Sequence, residues 1–275
     1  MIELVESTIL AEQLKQTIVG KKIKDVIVGQ SPHKFAFFTD DPEKYPSLLI
    51  GKEISETNSH GSFVEIVIED RVLLLNDGIS LKYHDKNEKR AVKHQLLIEF
   101  EDLSSISASV QMYGGILCYP KGEIDNSYYL VAKEKPSLLS DEFNRAYFTS
   151  ILSMPGMEKL SAKAFLATEQ RIPGIGNGVL QDILYYAKIH PKTKIKAFSE
   201  EDKDRLFSSI KTTLKDMIKA GGRDTEKDLF QQIGGYQTKM SKNTLGKECP
   251  VCKTIIQKEA YLGGSIYYCG GCQRV

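Results

Sequence analysis

The chain has 275 residues, 41% hydrophobic and 27% charged, with a formal net charge of +1. That composition suits a soluble globular protein of about two domains. No apolar run reaches the roughly 18 residues that a membrane span requires. The N-terminus carries no basic segment followed by a long apolar one, so no signal peptide is expected. The charge is uneven. Residues 159–275 hold 20 Lys and Arg against 12 Asp and Glu, which leaves the first part acidic. A basic half on a nearly neutral chain fits a polyanion partner, although solvated Lys-rich helices give the same balance.

In chain order, Leu4, Ile9, Leu10, Leu14 and Ile18 recur at helical spacing, which predicts a helix over 3–18 stopped by Gly20. The pattern then turns to β. Strands are predicted at 23–28, 36–39, 63–69, 72–75, 81–84, 94–100, 105–112 and 116–119. This many short strands suggests a sandwich or barrel. Residues 121–142 are polar and read as a passage to a second, helical domain. Its predicted helices are 141–153, 161–169, 177–187, 200–220 and 225–230. Ser199-Glu200-Glu201-Asp202 starts one well, since acidic residues favour the positive end of the helix dipole. Gly221-Gly222 ends it, and 234–247 reads as a linker. Tyr185 and Tyr186 on the 177–187 helix are read as core rather than as a stacking platform.

Cys249-Pro250-Val251-Cys252 and Cys269-Gly270-Gly271-Cys272 form a Cys-x2-Cys-x16-Cys-x2-Cys array. Each pair can wrap a turn around one cation, and the intervening residues can form a hairpin. The hairpin strands are predicted at 254–256 and 265–268, with the turn at Gly263-Gly264. Four thiolates then make a closed, structural zinc shell. A disulfide pair is the alternative, disfavoured because nothing suggests secretion. Cys118, in an apolar run, is read as core filler.

Arg171-Ile172-Pro173-Gly174-Ile175-Gly176-Asn177 reads as a tight loop between helices, with Asn177 as the N-cap of the second helix. Fresh N–H groups at a helix start, approached closely over glycine, make an anion site. Lys163, fourteen residues earlier, adds positive charge. An ordinary helical hairpin is the plainer reading of this stretch alone.

Gly174-Ile175-Gly176-Asn177, Ala187-Lys188-Ile189-His190-Pro191, Gly221-Gly222 and the four-cysteine ribbon ending Cys272-Gln273, taken together, resemble the formamidopyrimidine-DNA glycosylase and endonuclease VIII family of base-excision-repair enzymes. The resemblance covers essentially the whole chain. It implies an α+β fold: an N-terminal helix and β-sandwich over 1–130, a helix–two-turn–helix domain over 131–244 and a zinc finger over 245–275. It implies double-stranded, damaged DNA in the cleft between domains, with Lys163, Gly176 and Asn177 at lesion phosphates. It also implies one zinc on Cys249, Cys252, Cys269 and Cys272, a monomer, no membrane association, and a cytoplasmic location at the nucleoid.

Family enzymes begin Met-Pro-Glu with a further Glu at the sixth position. After loss of Met, the proline amine attacks C1′ of the extruded nucleotide, forms a Schiff base and cuts the strand by elimination. This chain begins Met1-Ile2-Glu3-Leu4-Val5-Glu6. Glu3 and Glu6 match as catalytic candidates, although acidic residues in a first helical turn also stabilise it. Ile2 replaces the proline, and Met before a bulky residue is not ordinarily trimmed. The family's hairpin Lys falls at Ser62 and its finger Arg at Gly264. The residues that fill the gap left by an everted base fall at Ile79, Gln111 or Met112, and Tyr113. The expected function is nucleic-acid binding, of damaged DNA, on a repair scaffold whose lyase chemistry is weak or lost. The alternatives are an active glycosylase with an altered nucleophile, and a non-enzymatic binder of structured RNA. His60, His84, His94 and His190 show neither metal nor triad spacing.

Overall fold

The computed structural model describes residues 1–90 and 92–273. They form two compact units. The first is Met1–Leu130 with Glu226–Gly234, and the second is Val131–Thr225 with Gly235–Val275.

The first unit opens with helix α1 (Leu4–Ile18), then β1 (Ile23–Val28), β2 (Ala36–Phe38), a short helix α2 (Tyr45–Leu49), β3 (Ile54–His60), β4 (Phe63–Ile68), β5 (Arg71–Asn76), β6 (Ile79–His84), β7 (Leu96–Phe100), β8 (Ser105–Val110) and β9 (Gly114–Pro120). One sheet has the order β1-β7-β8-β6 and the other β2-β9-β5-β4-β3. All pairings are antiparallel except β2 with β9. Alternate residues of both sheets point into one core, including Val26, Ile98, Ile106 and Leu81 from the first and Ile66, Leu73, Leu75, Ile116 and Cys118 from the second. The result is a sandwich whose core also takes Leu10, Leu14 and Ile18 of α1. Cys118 is core, as expected, and burial pushes its thiol up to about 11.

Strand β3 was not legible. Its sequence, Ile-Ser-Glu-Thr-Asn-Ser-His, buries only Ile54 and Thr57, and its register with β4 shifts between Ile54 and Glu56. A bulge in a polar edge strand breaks the alternation that reveals strands.

Helix α3 (Ser127–Glu134) occupies part of the stretch read as an irregular passage. The second unit continues with α4 (Arg145–Leu152), α5 (Ala162–Ala167), α6 (Val179–Tyr186), α7 (Glu200–Lys219) and a hairpin of β10 (Gln257–Tyr261) and β11 (Gly264–Tyr268). Phe143 stacks on Phe207 with centroids 6.0 Å apart, and Phe148 meets Phe165 edge-on at 6.0 Å, an aromatic core joining α4, α5 and α7. Ser199 and Asp202 form a capping box at the start of α7, as the sequence indicated. Among the described residues no helix is long and apolar enough to cross a membrane.

Two predicted elements are corrected. Residues 225–230 are not helical. The chain turns there, with Lys227 bridged to Ile233, and Leu229 is buried in the sandwich core. Leu229 N–H donates to Gln13 Oε1 at 3.0 Å, and its carbonyl accepts from Tyr83 N–H at 3.0 Å. These partners outcompete a local helix. The first ribbon strand is 257–261 rather than 254–256. Ile255 instead makes an isolated bridge to Glu248 that closes the first cysteine turn.

Candidate metal centre and nucleic-acid interface

The Sγ atoms of Cys249, Cys252, Cys269 and Cys272 all lie within 4.8 Å of one another. Cys249 and Cys272 approach to 3.7 Å, and Cys252 and Cys269 to 3.2 Å. Four thiolates about 2.3 Å from one tetrahedral cation stand a little under 4 Å apart, so the donor set fits zinc. Gly271 is required by this closeness: a Cβ there would come 2.8 Å from Cys252 Sγ and 2.5 Å from Thr254 Oγ1. Hydrogen bonds from Thr254 hold the Cys252 thiol down at about 6. Burial would raise Cys249, but the Tyr185 hydroxyl and the N–H groups of Cys252 and Val251 bring it below the ordinary value. Burial raises Cys269 and Cys272. Tyr185 is core, with its hydroxyl 3.3 Å from Cys249 Sγ, whereas Tyr186 is partly exposed.

Lys163 lies in the first turn of α5, and Gly176 and Asn177 lie in the turn that leads into α6. The expected N-cap role of Asn177 is corrected: Gly178 occupies the N-cap of α6. The Asn177 side chain turns to the ribbon, its Nδ2 donating to the Ser265 carbonyl at 2.9 Å. Its Oδ1 is buried without a hydrogen-bond partner. Lys163 is 4% exposed, and its Nζ donates to the Tyr261 carbonyl at 2.6 Å. Burial pushes its pKa down. A Cβ on Gly264 would stand 3.3 Å from Asn177 Oδ1 and 3.4 Å from Lys163 Nζ. The structure therefore brings Gly264 of the ribbon up to Lys163 and Asn177, the pair that the sequence analysis put at one anion site. Gln181, which sequence reasoning did not single out, lies among them.

In the first unit, Glu3 and Glu6 are both buried and form a capping box on α1, with Glu3 N–H donating to Glu6 Oε2 at 3.2 Å. Ile2 is buried, and its N–H donates to the Asp77 carbonyl at 2.6 Å. Gly61, at the β3–β4 tip beside Ser62, accepts from Ser7 Oγ at 2.7 Å, which holds that tip against the start of α1. Burial raises the Asp77 carboxyl. Burial, with the charges of Asp77 and Glu3, raises Tyr113. Asp77 is thus a second acid near Glu3 that the sequence did not flag. Its φ of 57° marks a strained turn invisible to periodicity. Ile79 belongs to the core and is only 4% exposed, so it is corrected as a gap-filling residue. Met112, 64% exposed, and Tyr113, 41% exposed, stand out on the β8–β9 turn.

Residues 135–228 match the formamidopyrimidine-DNA glycosylase H2TH domain. The chain resembles the formamidopyrimidine-DNA glycosylase and endonuclease VIII family along its whole length. It is 29% identical over 244 residues to the formamidopyrimidine-DNA glycosylase of Shouchella clausii, covering 85% of this chain and 86% of that relative. It is 33% identical over 155 residues to that of Aliivibrio fischeri, covering 55% of each. The Lactococcus lactis enzyme, solved in complex with abasic-site DNA, superposes with a TM-score of 0.83 at 23% identity over 99% of this chain and all of that one. The Thermus thermophilus MutM structure gives 0.81 at 19% identity over 98% of each. The α+β architecture is therefore the fold of these glycosylases, and residues 135–228 carry the match to their H2TH domain.

Proposed function

We propose that this chain binds duplex DNA at damaged sites and has weak or no strand-cleaving lyase activity. The observation that carries the binding reading is the convergence of Lys163 Nζ and Asn177 beside Gly264. These groups lie on the H2TH domain, and Gly176 supplies close backbone approach. They would contact phosphates, which fixes a duplex without reading its sequence and suits a scanner of lesions. Met112 and Tyr113, exposed on one turn, would fill the space left by an everted base. One zinc on Cys249, Cys252, Cys269 and Cys272 would hold the ribbon rigid and supply no chemistry, because four protein ligands leave no open position. We take the working division to be 1–130, 131–244 and 245–275, in a monomer. The thiol-rich site belongs in a reducing compartment, in keeping with a cytoplasmic protein at the nucleoid.

Three departures support the loss of cleavage. Ile2 stands in place of proline, with its N–H engaged by Asp77. Ser62 offers no cation at the hairpin tip, and Gly264 offers none at the ribbon. Phosphate contacts by Lys or Arg are charge-assisted and strong. Misplacing a nucleophile by about 1 Å costs on the order of a hundredfold.

A second reading, base removal without strand cutting, is favoured by Asp77, whose carboxyl burial raises and whose backbone is bridged to Ile2 next to Glu3. The test is binding of wild-type protein to intact, oxidised-base and abasic duplexes and to a structured RNA, followed by borohydride trapping. Preferential binding to damaged duplex with no trapped adduct supports the proposal. Base release without adduct selects the second reading. A trapped adduct, or a preference for RNA, overturns it.

A further inference from the structure

Asn177, Gln181 and Tyr185 are spaced four residues apart on the entry to α6 and along it, so they share one face. All three face the ribbon. Tyr185 reaches Cys249 Sγ at 3.3 Å. Gln181 is 2% exposed, and its carboxamide is fully used. Its Nε2 donates to the Asn177 carbonyl at 2.9 Å and to the Ser265 carbonyl at 3.0 Å, while its Oε1 accepts from Tyr267 N–H at 3.1 Å. The Ser265 carbonyl thus accepts from both Gln181 and Asn177 Nδ2. Ser265 and Tyr267 lie on β11, which runs directly into Cys269. A single buried side chain therefore ties the backbone of the Asn177 turn to the strand that leads into Cys269 and Cys272.

We propose that Gln181 is a positioning residue that makes phosphate binding by Lys163 and Asn177 depend on the metal-held ribbon. The proposal rests on the binding function above. The physical ground is that Lys163 and Asn177 hold their present positions through ribbon carbonyls, those of Tyr261 and Ser265. A ribbon this small has little core of its own: its cluster comprises Tyr185, Met240, Ile256, Cys249 and Cys269, with Tyr267 and Cys272 packed against it. Its hairpin therefore depends on the cation for its shape. When the hairpin loosens, Lys163 and Asn177 lose their acceptors, and side-chain freedom returns to both. Gln181 transmits this because removing it takes its partner from the Asn177 carbonyl and from the Tyr267 N–H and leaves the Ser265 carbonyl to Asn177 Nδ2 alone, which is more disruptive than losing an exposed bond.

The experiment measures zinc content, affinity for a duplex bearing one abasic-site analogue, and the salt dependence of that affinity. The proteins are wild type, Asn177→Ala, Gln181→Met and Gln181→Glu, each with and without a zinc chelator. Gln181→Met keeps the side chain's length and removes its hydrogen bonds. It should retain one zinc, bind about tenfold more weakly and show a salt slope shallower by about one. Chelation should weaken wild type to the level of Gln181→Met and add little to that variant, because both act through one linkage. Should Gln181→Met fail to hold zinc, Gln181→Glu decides. It keeps the acceptor for Tyr267 and turns both donors into acceptors against carbonyls, and it should weaken binding at least as much.

Unchanged affinity and slope in the zinc-loaded Gln181 variants, with Asn177→Ala weakened, overturns the coupling and leaves the binding function standing. Equal chelator effects on wild type and Gln181→Met also overturn it. Unchanged affinity in Asn177→Ala removes the phosphate site itself, and the coupling with it.

Discussion

The backbone N–H of Ile2 donates to the carbonyl of Asp77 at 2.6 Å in an antiparallel bridge that seats the second residue against the turn before β6. A proline there has no N–H to donate. Ile2→Pro with Met1 retained should therefore cost about 1 kcal/mol of stability. With Met1 removed, the new secondary amine is the family nucleophile. Intact mass distinguishes the two forms. We expect the trimmed Ile2→Pro protein to give a borohydride-trapped adduct on an abasic duplex where wild type gives none. A wild-type adduct that Glu3→Gln abolishes would refute the loss of lyase chemistry.

Metal analysis of natively purified protein should find one zinc per chain. Cys252→Ser breaks the donor set and should unfold the ribbon. The sandwich core, which includes Leu10, Cys118 and Leu229, shares none of its residues with the ribbon cluster and should keep its structure. Near-native exchange protection in the ribbon of zinc-free protein would contradict this.

Lys163→Ala should weaken duplex binding by a similar factor for unrelated sequences, since a phosphate contact carries no base information. The slope of log affinity against log salt should fall by about 0.9, one released counterion. An affinity loss with an unchanged slope would assign Lys163 to support of the Tyr261 carbonyl alone.

Asp182 is deeply buried, and burial raises its carboxyl above the ordinary aspartate range, against the lowering effect of the Lys239 and Met240 N–H groups, from which it accepts. A carboxyl with a raised folded value binds its proton more tightly in the native state. It therefore contributes stability that is fully present below the unfolded value and is lost as pH rises through the folded one. Asp182→Asn removes that titration. The difference in unfolding free energy, variant minus wild type, should shift in favour of the variant as pH rises from about 4. Taking the difference cancels metal loss common to both proteins. A pH-independent difference would show that Asp182 titrates normally.

How much of this was legible depended on where the information is stored. Helix α1 and most strands of the sandwich were visible because alternation and helical period are local, and Leu10, Leu14, Ile66 and Leu73 obey them. Strand β3 was hidden by its bulge and polar face. The segment around Leu229 read as helix because its neighbours are good helix formers. Gln13, Tyr83 and the sandwich core supply partners that no window of neighbours contains.

By itself, the sequence determined the four thiols as one site, because the two-residue gaps fix each pair on a turn. It also determined the family resemblance, through motifs spread over the chain. Only the tertiary structure decided what Asn177 does. A sequence places an asparagine after glycine at a helix start and predicts a cap. The fold instead brings the Ser265 carbonyl to 2.9 Å and gives the cap to Gly178. The same holds for Gln181 and Asp77, whose roles rest on partners distant in the chain: Ser265 and Tyr267 for one, Ile2 and Tyr113 for the other. Spacing along the chain records covalent geometry, whereas a buried hydrogen bond depends on which groups folding leaves without water.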